Sequence, residues 1–144
     1  MPRSRGPLAP FLVLLVLAGA VVACGTAKSP VEPTDGPDPS ATFARVQSEV
    51  FTPSCAVAGC HGGSSPQLGL DLSAGKSWAS IVNVRAVEST RLRVAPGDPD
   101  ASYLVSKVKG DATITGVRMP LGGALTPAEI DLIVDWVRRG APND

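Results

Sequence analysis

Residues 55–61 read Cys-Ala-Val-Ala-Gly-Cys-His, and His61 is the only histidine in a chain of 144 residues. Cys55 and Cys60 are two of just three cysteines, the third being Cys24. Chemistry that needs two histidines from one chain, a multi-histidine zinc site above all, is largely excluded by that count. Residues 52–73 are rich in Gly, Ser and Pro, which places Cys55, Cys60 and His61 in or beside irregular backbone. The whole chain holds 15 Gly and 14 Pro, so the elements should be short and the loops long. Thirteen basic residues balance thirteen acidic ones. A dedicated nucleic-acid binder would normally carry a basic excess, and none is present.

The N-terminal stretch reads as a targeting signal. Arg3 and Arg5 precede Phe11 to Ala23, an uncharged apolar run of 13 residues. A helix crossing the hydrocarbon layer needs about 20, whereas a secretory signal has a basic start and a shorter apolar run. Val21-Val22-Ala23-Cys24 resembles the lipobox of bacterial lipoproteins, in which the cysteine becomes the mature N-terminus and carries diacylglycerol. Two or three acyl chains at ~0.8 kcal/mol per buried methylene would anchor the protein stably. The expected organisation is a lipoprotein signal peptide at 1–23, a lipidated Cys24 with a Pro-rich linker at 24–40, and one folded domain at 41–144. Loss of Arg3 and Arg5 leaves that mature chain two acids in excess. The expected location is the periplasmic side of a bacterial cell envelope. Gly25 stands where an Asp would signal inner-membrane retention, which favours the outer membrane.

Within the domain the patterning is helical. Phe43, Val46 and Val50 share one face, with Thr42 as N-cap, predicting a helix over about 42–51 that Pro53 stops. A short helix is expected over 74–82, carrying Trp78 and Ile81. Asp98-Pro99-Asp100 is a start signal for a helix presenting Tyr103, Leu104, Val105 and Val108 and ending at Gly110. Thr126-Pro127-Ala128-Glu129 has the capping-box pattern. It opens a last helix with Ile130, Ile133, Val134 and Val137 on one face and Gly140 then Pro142 at its end. Leu68 to Leu72 alternates and reads as a short strand or an extended loop. Four short helices and five aromatic residues make a thin core, which predicts that something else fills it.

Cys55, Cys60 and His61 suggest what that is. Two thiols can add across the two vinyl groups of a porphyrin, and a histidine directly after the second can reach the iron. The usual attachment signature is C-x-x-C-H, and here four residues separate the cysteines. A small disulfide loop is the competing reading outside the cytoplasm, and another metal is the third, although zinc would be a ligand short. Met119 lies 58 residues after His61 in an Arg-Met-Pro-Leu-Gly-Gly loop, poor surroundings for a core filler. A thioether there is suited to be a second axial iron ligand.

Region 43–143 resembles the planctomycete-type cytochrome c domains and, more broadly, the mono-haem class I cytochromes c. The matching residues are CAVAGCHGG (55–63), LGLDLS (68–73), VAPGDPDASYLVSKV (94–108), RMPLGG (118–123) and LTPAEIDLIVDWVRRGAP (125–142). The resemblance implies an all-α, class I cytochrome c-like domain of about four short helices with long loops around one haem. It implies one covalent haem c with thioether links from Cys55 and Cys60, proximal His61 and distal Met119. It also implies a first and last helix that cross, with Trp136 against Phe43 and Val46. Arg91, Arg93 and Arg118 are candidates to pair with haem propionates, Arg118 foremost because it precedes Met119. Trp78 and Tyr103 are expected in the core or the haem wall, and Phe43, Trp78, Leu104 and Trp136 are expected to pack on the haem. The function expected is an electron carrier rather than an enzyme, with redox protein partners, a membrane contact through the lipid anchor and no nucleic acid. The competing functions are a haem-free surface lipoprotein whose Cys55–Cys60 disulfide supports a binding module, and a haem sensor or peroxidase.

Overall fold

The computed structural model describes residues 36–144. Cys24, the apolar run and most of the linker lie outside the described residues. No described helix is long and apolar enough to cross a membrane. Helices and loops make up the fold: among the described residues no β-strand forms, and backbone pairing is confined to isolated bridges such as Val82 with Val94 and Arg85 with Leu92.

The chain enters the core at Ala41 and turns helical one residue after Thr42. The Thr42 hydroxyl accepts from the Arg45 amide at 3.3 Å, the cap expected of it, and α1 spans Phe43–Arg45. The winding then widens into a π-helical segment, Val46–Cys55, whose last turn closes with the Ala56 amide on the Phe51 carbonyl at 2.7 Å. Pro53 therefore does not stop this helix. Its ring would collide with the carbonyl four residues back in an α-helix, and a wider turn moves that carbonyl aside. Phe43, Val46 and Val50 are buried as the spacing predicts, together with Phe51.

Leu68 to Leu72 is not a strand: a single 3₁₀ turn at Gln67–Gly69 is followed by loop. The next helix is shorter than expected. An Asp71-capped turn occupies 71–76, with the Asp71 carboxylate accepting from the Ser73 amide at 2.9 Å, so α2 covers only Ser77–Ile81. Asp98 likewise caps a turn rather than a helix, and α3 (Tyr103–Lys109) starts at the Ser102 N-cap. It closes at Gly110 in a left-handed conformation (φ 77°), the C-terminal device read from the sequence. The last helix, α4 (Pro127–Arg138), has both halves of its capping box. Glu129 donates its amide to Thr126 Oγ1 at 3.3 Å, and its carboxylate accepts the Thr126 amide at 2.7 Å.

α4 packs against the π-helical segment on one side and α3 on the other. Trp136 is fully buried at the first crossing, its ring 5.2 Å from that of Phe43, and Phe51 meets Phe43 edge-on at 6.4 Å. The indole Nε1 donates to the Pro142 carbonyl at 2.8 Å. The tail beyond α4 then doubles back over the start of α1, where Asp144 accepts the Phe43 amide with its carboxylate and the Ala44 amide with its backbone oxygen, each at 2.8 Å. Trp136→Ala should cost about 3–5 kcal/mol, measured as a fall in unfolding free energy by urea titration. A loss under 1 kcal/mol would mean that the crossing is not the centre of the core.

Candidate functional site

The segment after the π-helix folds back on itself. Cys55 ends the helix, its carbonyl accepts the His61 amide at 3.1 Å, and the His61 carbonyl accepts the Leu72 amide at 2.7 Å. Gly62 makes this return possible. It is buried, and a Cβ there would stand 2.7 Å from the Ala56 carbonyl carbon and run into its oxygen. The loop 55–62 therefore closes on a residue that must lack a side chain, and Cys55, Cys60 and His61 all reach one cavity from it.

Cys55, Cys60, His61 and Met119 all line one cavity of about 580 Å³. Cavities of 300–1,000 Å³ are the usual size for small-molecule and cofactor sites. Its remaining wall is mostly aliphatic, with Leu70 and Leu72 from the loop after His61 and Leu104 and Val108 from α3. Of the large apolar side chains left exposed among the described residues, Val57, Leu68, Val87 and Leu121 line this same cavity, Leu121 at 74% exposure. Such grouped exposure marks a surface made to be covered.

The four donor side chains are set up differently. Cys55 and Cys60 are unbonded thiols, Cys55 half-buried and Cys60 exposed. Burial, and after it the charges of Glu129 and Cys60, pushes the Cys55 thiol up to about 11, so it is neutral at physiological pH. His61 Nδ1 lies 3.2 Å from the Leu70 carbonyl oxygen, which only accepts. Nδ1 therefore carries the proton, and the lone pair falls on Nε2. Burial holds the ring below the usual histidine range, against the opposing pull of the Leu70 and Gln67 contacts and aided by the charges of Arg93 and Lys107. Met119 is half-buried, with its amide bonded to the Lys107 carbonyl at 2.9 Å. Among the described residues no three His, Cys, Asp or Glu side chains group together.

Of the three arginines offered by the sequence, the structure brings Arg93 to the cavity and leaves Arg118 and Arg91 off it. Arg118 is exposed, does not line the cavity, and lays its aliphatic stem against Gly110. Arg91 is spent on Ser106 Oγ (2.8 Å), Thr113 Oγ1 (3.3 Å) and the face of Tyr103. Arg93 does line the cavity, donating only to the carbonyls of Ser80 (2.8 Å) and Leu68 (3.2 Å). Burial lowers its pKa, and among the described residues no carboxylate pairs with it. Lys107 and Glu88, which the sequence reading passed over, also line the cavity and pair at 3.0 Å. Lys107 sits four residues after Tyr103 on α3, a spacing that could have flagged it, whereas nothing local marks Glu88.

The expected aromatic packing on a cofactor is corrected as well. Phe43 and Trp136 are used on each other in the core, and Trp78 donates its Nε1 to the Ala141 carbonyl at 2.9 Å. None of the three lines the cavity, whereas Leu104 and Tyr103 do. No protein-family model, curated protein or solved structure matches this chain.

Gly62→Ala should lower stability by about 1–3 kcal/mol through backbone overpacking. It should also speed hydrogen exchange at the His61 amide. An unchanged melting curve and exchange rate would show that the loop does not close on Gly62.

Proposed function

We propose that this protein is an extracytoplasmic electron carrier holding one covalently attached haem. The observation that carries the reading is the convergence of two thiols, one imidazole and one thioether on a single, mostly aliphatic cavity. That donor set fits a c-type haem: Cys55 and Cys60 would form the two thioether links, and His61 and Met119 would hold the iron. Once bound, the group supplies an iron that gains and loses one electron at a time.

The chain's own residues do the rest. The Leu70 carbonyl fixes the His61 tautomer so that Nε2 is the ligating atom, and a hydrogen-bonded ligand is more basic and better oriented. Leu70, Leu72, Leu104 and Val108 offer an occupant of the cavity apolar surface to pack on. Apolar surroundings and a thioether ligand would favour the less charged, reduced state. Arg93 offers an unpaired positive charge at the wall and takes over from Arg118 as the contact for a propionate carboxylate. With His61 and Met119 both serving as iron ligands, the iron would keep no open position for a substrate, which favours carrying electrons over catalysis.

The decisive experiment is chromatography under acid-denaturing conditions, after expression with haem-attachment machinery. Wild-type polypeptide should keep its porphyrin, and Cys55→Ala with Cys60→Ala should lose it. A wild-type chain that releases all porphyrin would falsify the cytochrome reading and bring back the disulfide-loop lipoprotein.

Membrane attachment is a separate part of the proposal and rests on Val21-Val22-Ala23-Cys24. Cys24→Ser should move the protein from the membrane fraction to the soluble extracytoplasmic fraction with its absorption spectrum unchanged. Continued sedimentation with membranes would point to another anchor.

A further inference from the structure

Met119 reaches the cavity from the loop that runs between α3 and α4, and its side chain is as well placed as that loop is held. Asp111 to Val117 contains no regular element, and its residues are exposed except for half-buried Ile114. The bonds that tie it down converge on one residue. The Thr115 amide donates to the Tyr103 hydroxyl at 3.0 Å, the Thr115 carbonyl accepts from Lys107 Nζ at 2.8 Å, and Thr115 Oγ1 donates to the Glu88 carbonyl at 3.1 Å. Elsewhere in the loop, Thr113 receives Arg91 Nη2 at 3.3 Å and the Met119 amide reaches the Lys107 carbonyl at 2.9 Å.

The groups that hold Thr115 are themselves fixed. Lys107 is paired with Glu88 at 3.0 Å, with side chains only 12% and 27% exposed, so the pair is better shielded than a surface ion pair. Tyr103 is buried, with the Arg91 guanidinium 5.0 Å and Lys107 Nζ 5.8 Å from its ring centroid. Glu88 belongs to the segment before Arg91, and Tyr103 and Lys107 to one face of α3, so Thr115 joins two parts of the cavity wall. Between Thr115 and Met119 lie Gly116, Val117 and Arg118, all exposed, and no hydrogen bond to the rest of the protein is made there among the described residues.

We propose that Thr115 is the latch that seats Met119, with Tyr103 and Lys107 as positioning residues. Releasing Thr115 leaves Met119 with one backbone bond of its own, and the thioether then exchanges with solvent and small ligands. This rests on the haem reading given above, because the measurable consequence is access to the axial position that Met119 fills.

The test uses the full-length holoprotein and carbon monoxide as the competing ligand of the ferrous iron. Tyr103→Phe with Lys107→Met removes both side-chain partners of the Thr115 backbone while keeping the ring and the alkyl stem. The double variant should bind carbon monoxide at least about tenfold faster than wild type, equivalent to ~1.4 kcal/mol of lost seating. Exchange of the Thr115 and Met119 amides should quicken, with porphyrin retention and far-ultraviolet circular dichroism unchanged. Lys107→Arg keeps a donor for the Thr115 carbonyl and should stay near the wild-type rate, which a merely structural role would not require. Thr115→Val, a change at one exposed hydroxyl, tests the latch even where the double variant folds poorly, and should give a rise of about threefold, as expected for one neutral hydrogen bond.

Carbon monoxide rates within twofold of wild type in both Thr115→Val and the double variant would overturn the latch. Met119→Ala separates the two levels of the argument. If it too leaves the rate unchanged, Met119 is not an axial ligand and the function reading itself fails. If Met119→Ala speeds binding while the latch variants do not, only the latch is wrong.

Discussion

Phe43 and Trp136 meet where the first and last helical stretches cross, with ring centroids 5.2 Å apart. With five aromatic side chains in the domain, that contact takes a large share of what is available, and Phe51 joins it at 6.4 Å from Phe43. Aromatic surface is the densest source of apolar burial a small domain has. Its concentration at one crossing closes the first and last helical stretches of the described domain on each other. The cavity wall is left to be built from leucine and valine, with Tyr103 as its aromatic member.

Core and cavity are continuous. Leu72 and Val108 belong to both, and Cys55, Leu70 and Leu104 pack on the core from the cavity side. A group seated in the cavity would thus complete the core rather than sit on it. Small domains with limited burial gain stability from such an addition. The polar side of the same wall is built with equal economy. Lys107 is neutralised by Glu88, and Arg93, the other arginine or lysine of this wall, makes no ion pair among the described residues. One uncompensated charge in a largely apolar wall is a defined electrostatic feature, and it acts on His61 as well as on whatever occupies the cavity.

What the sequence disclosed was local. The capping box at Thr126, the cap at Thr42 and the left-handed Gly110 involve groups within a few residues of each other, and each is found as read. The convergence of Cys55, Cys60 and His61 was legible because the three are neighbours in the chain. Met119 was legible because a thioether in a Gly and Pro loop has few other uses. Pro53 misled because the rule that proline ends a helix assumes α-winding, and the chain adopts wider turns there. Arg118 misled for another reason. Adjacency in sequence says nothing about direction on an irregular loop, whereas Arg93, 25 positions earlier, is carried to the wall by its bonds to the Ser80 and Leu68 carbonyls. The capping of α1 by Asp144 and the hold on Thr115 join residues far apart in the chain, and no local pattern announces either.

The two indoles share a feature with an optical consequence. Trp136 donates to the carbonyl of Pro142 and Trp78 to that of Ala141, so both N–H groups are spent on adjacent residues of the tail. Neither ring lines the cavity. The polar edge of each chromophore is therefore held by the tail, and the wavelength of their ultraviolet emission responds to tail docking as well as to the core around Trp136. One optical signal thus reads the helix crossing and the docking of the tail together.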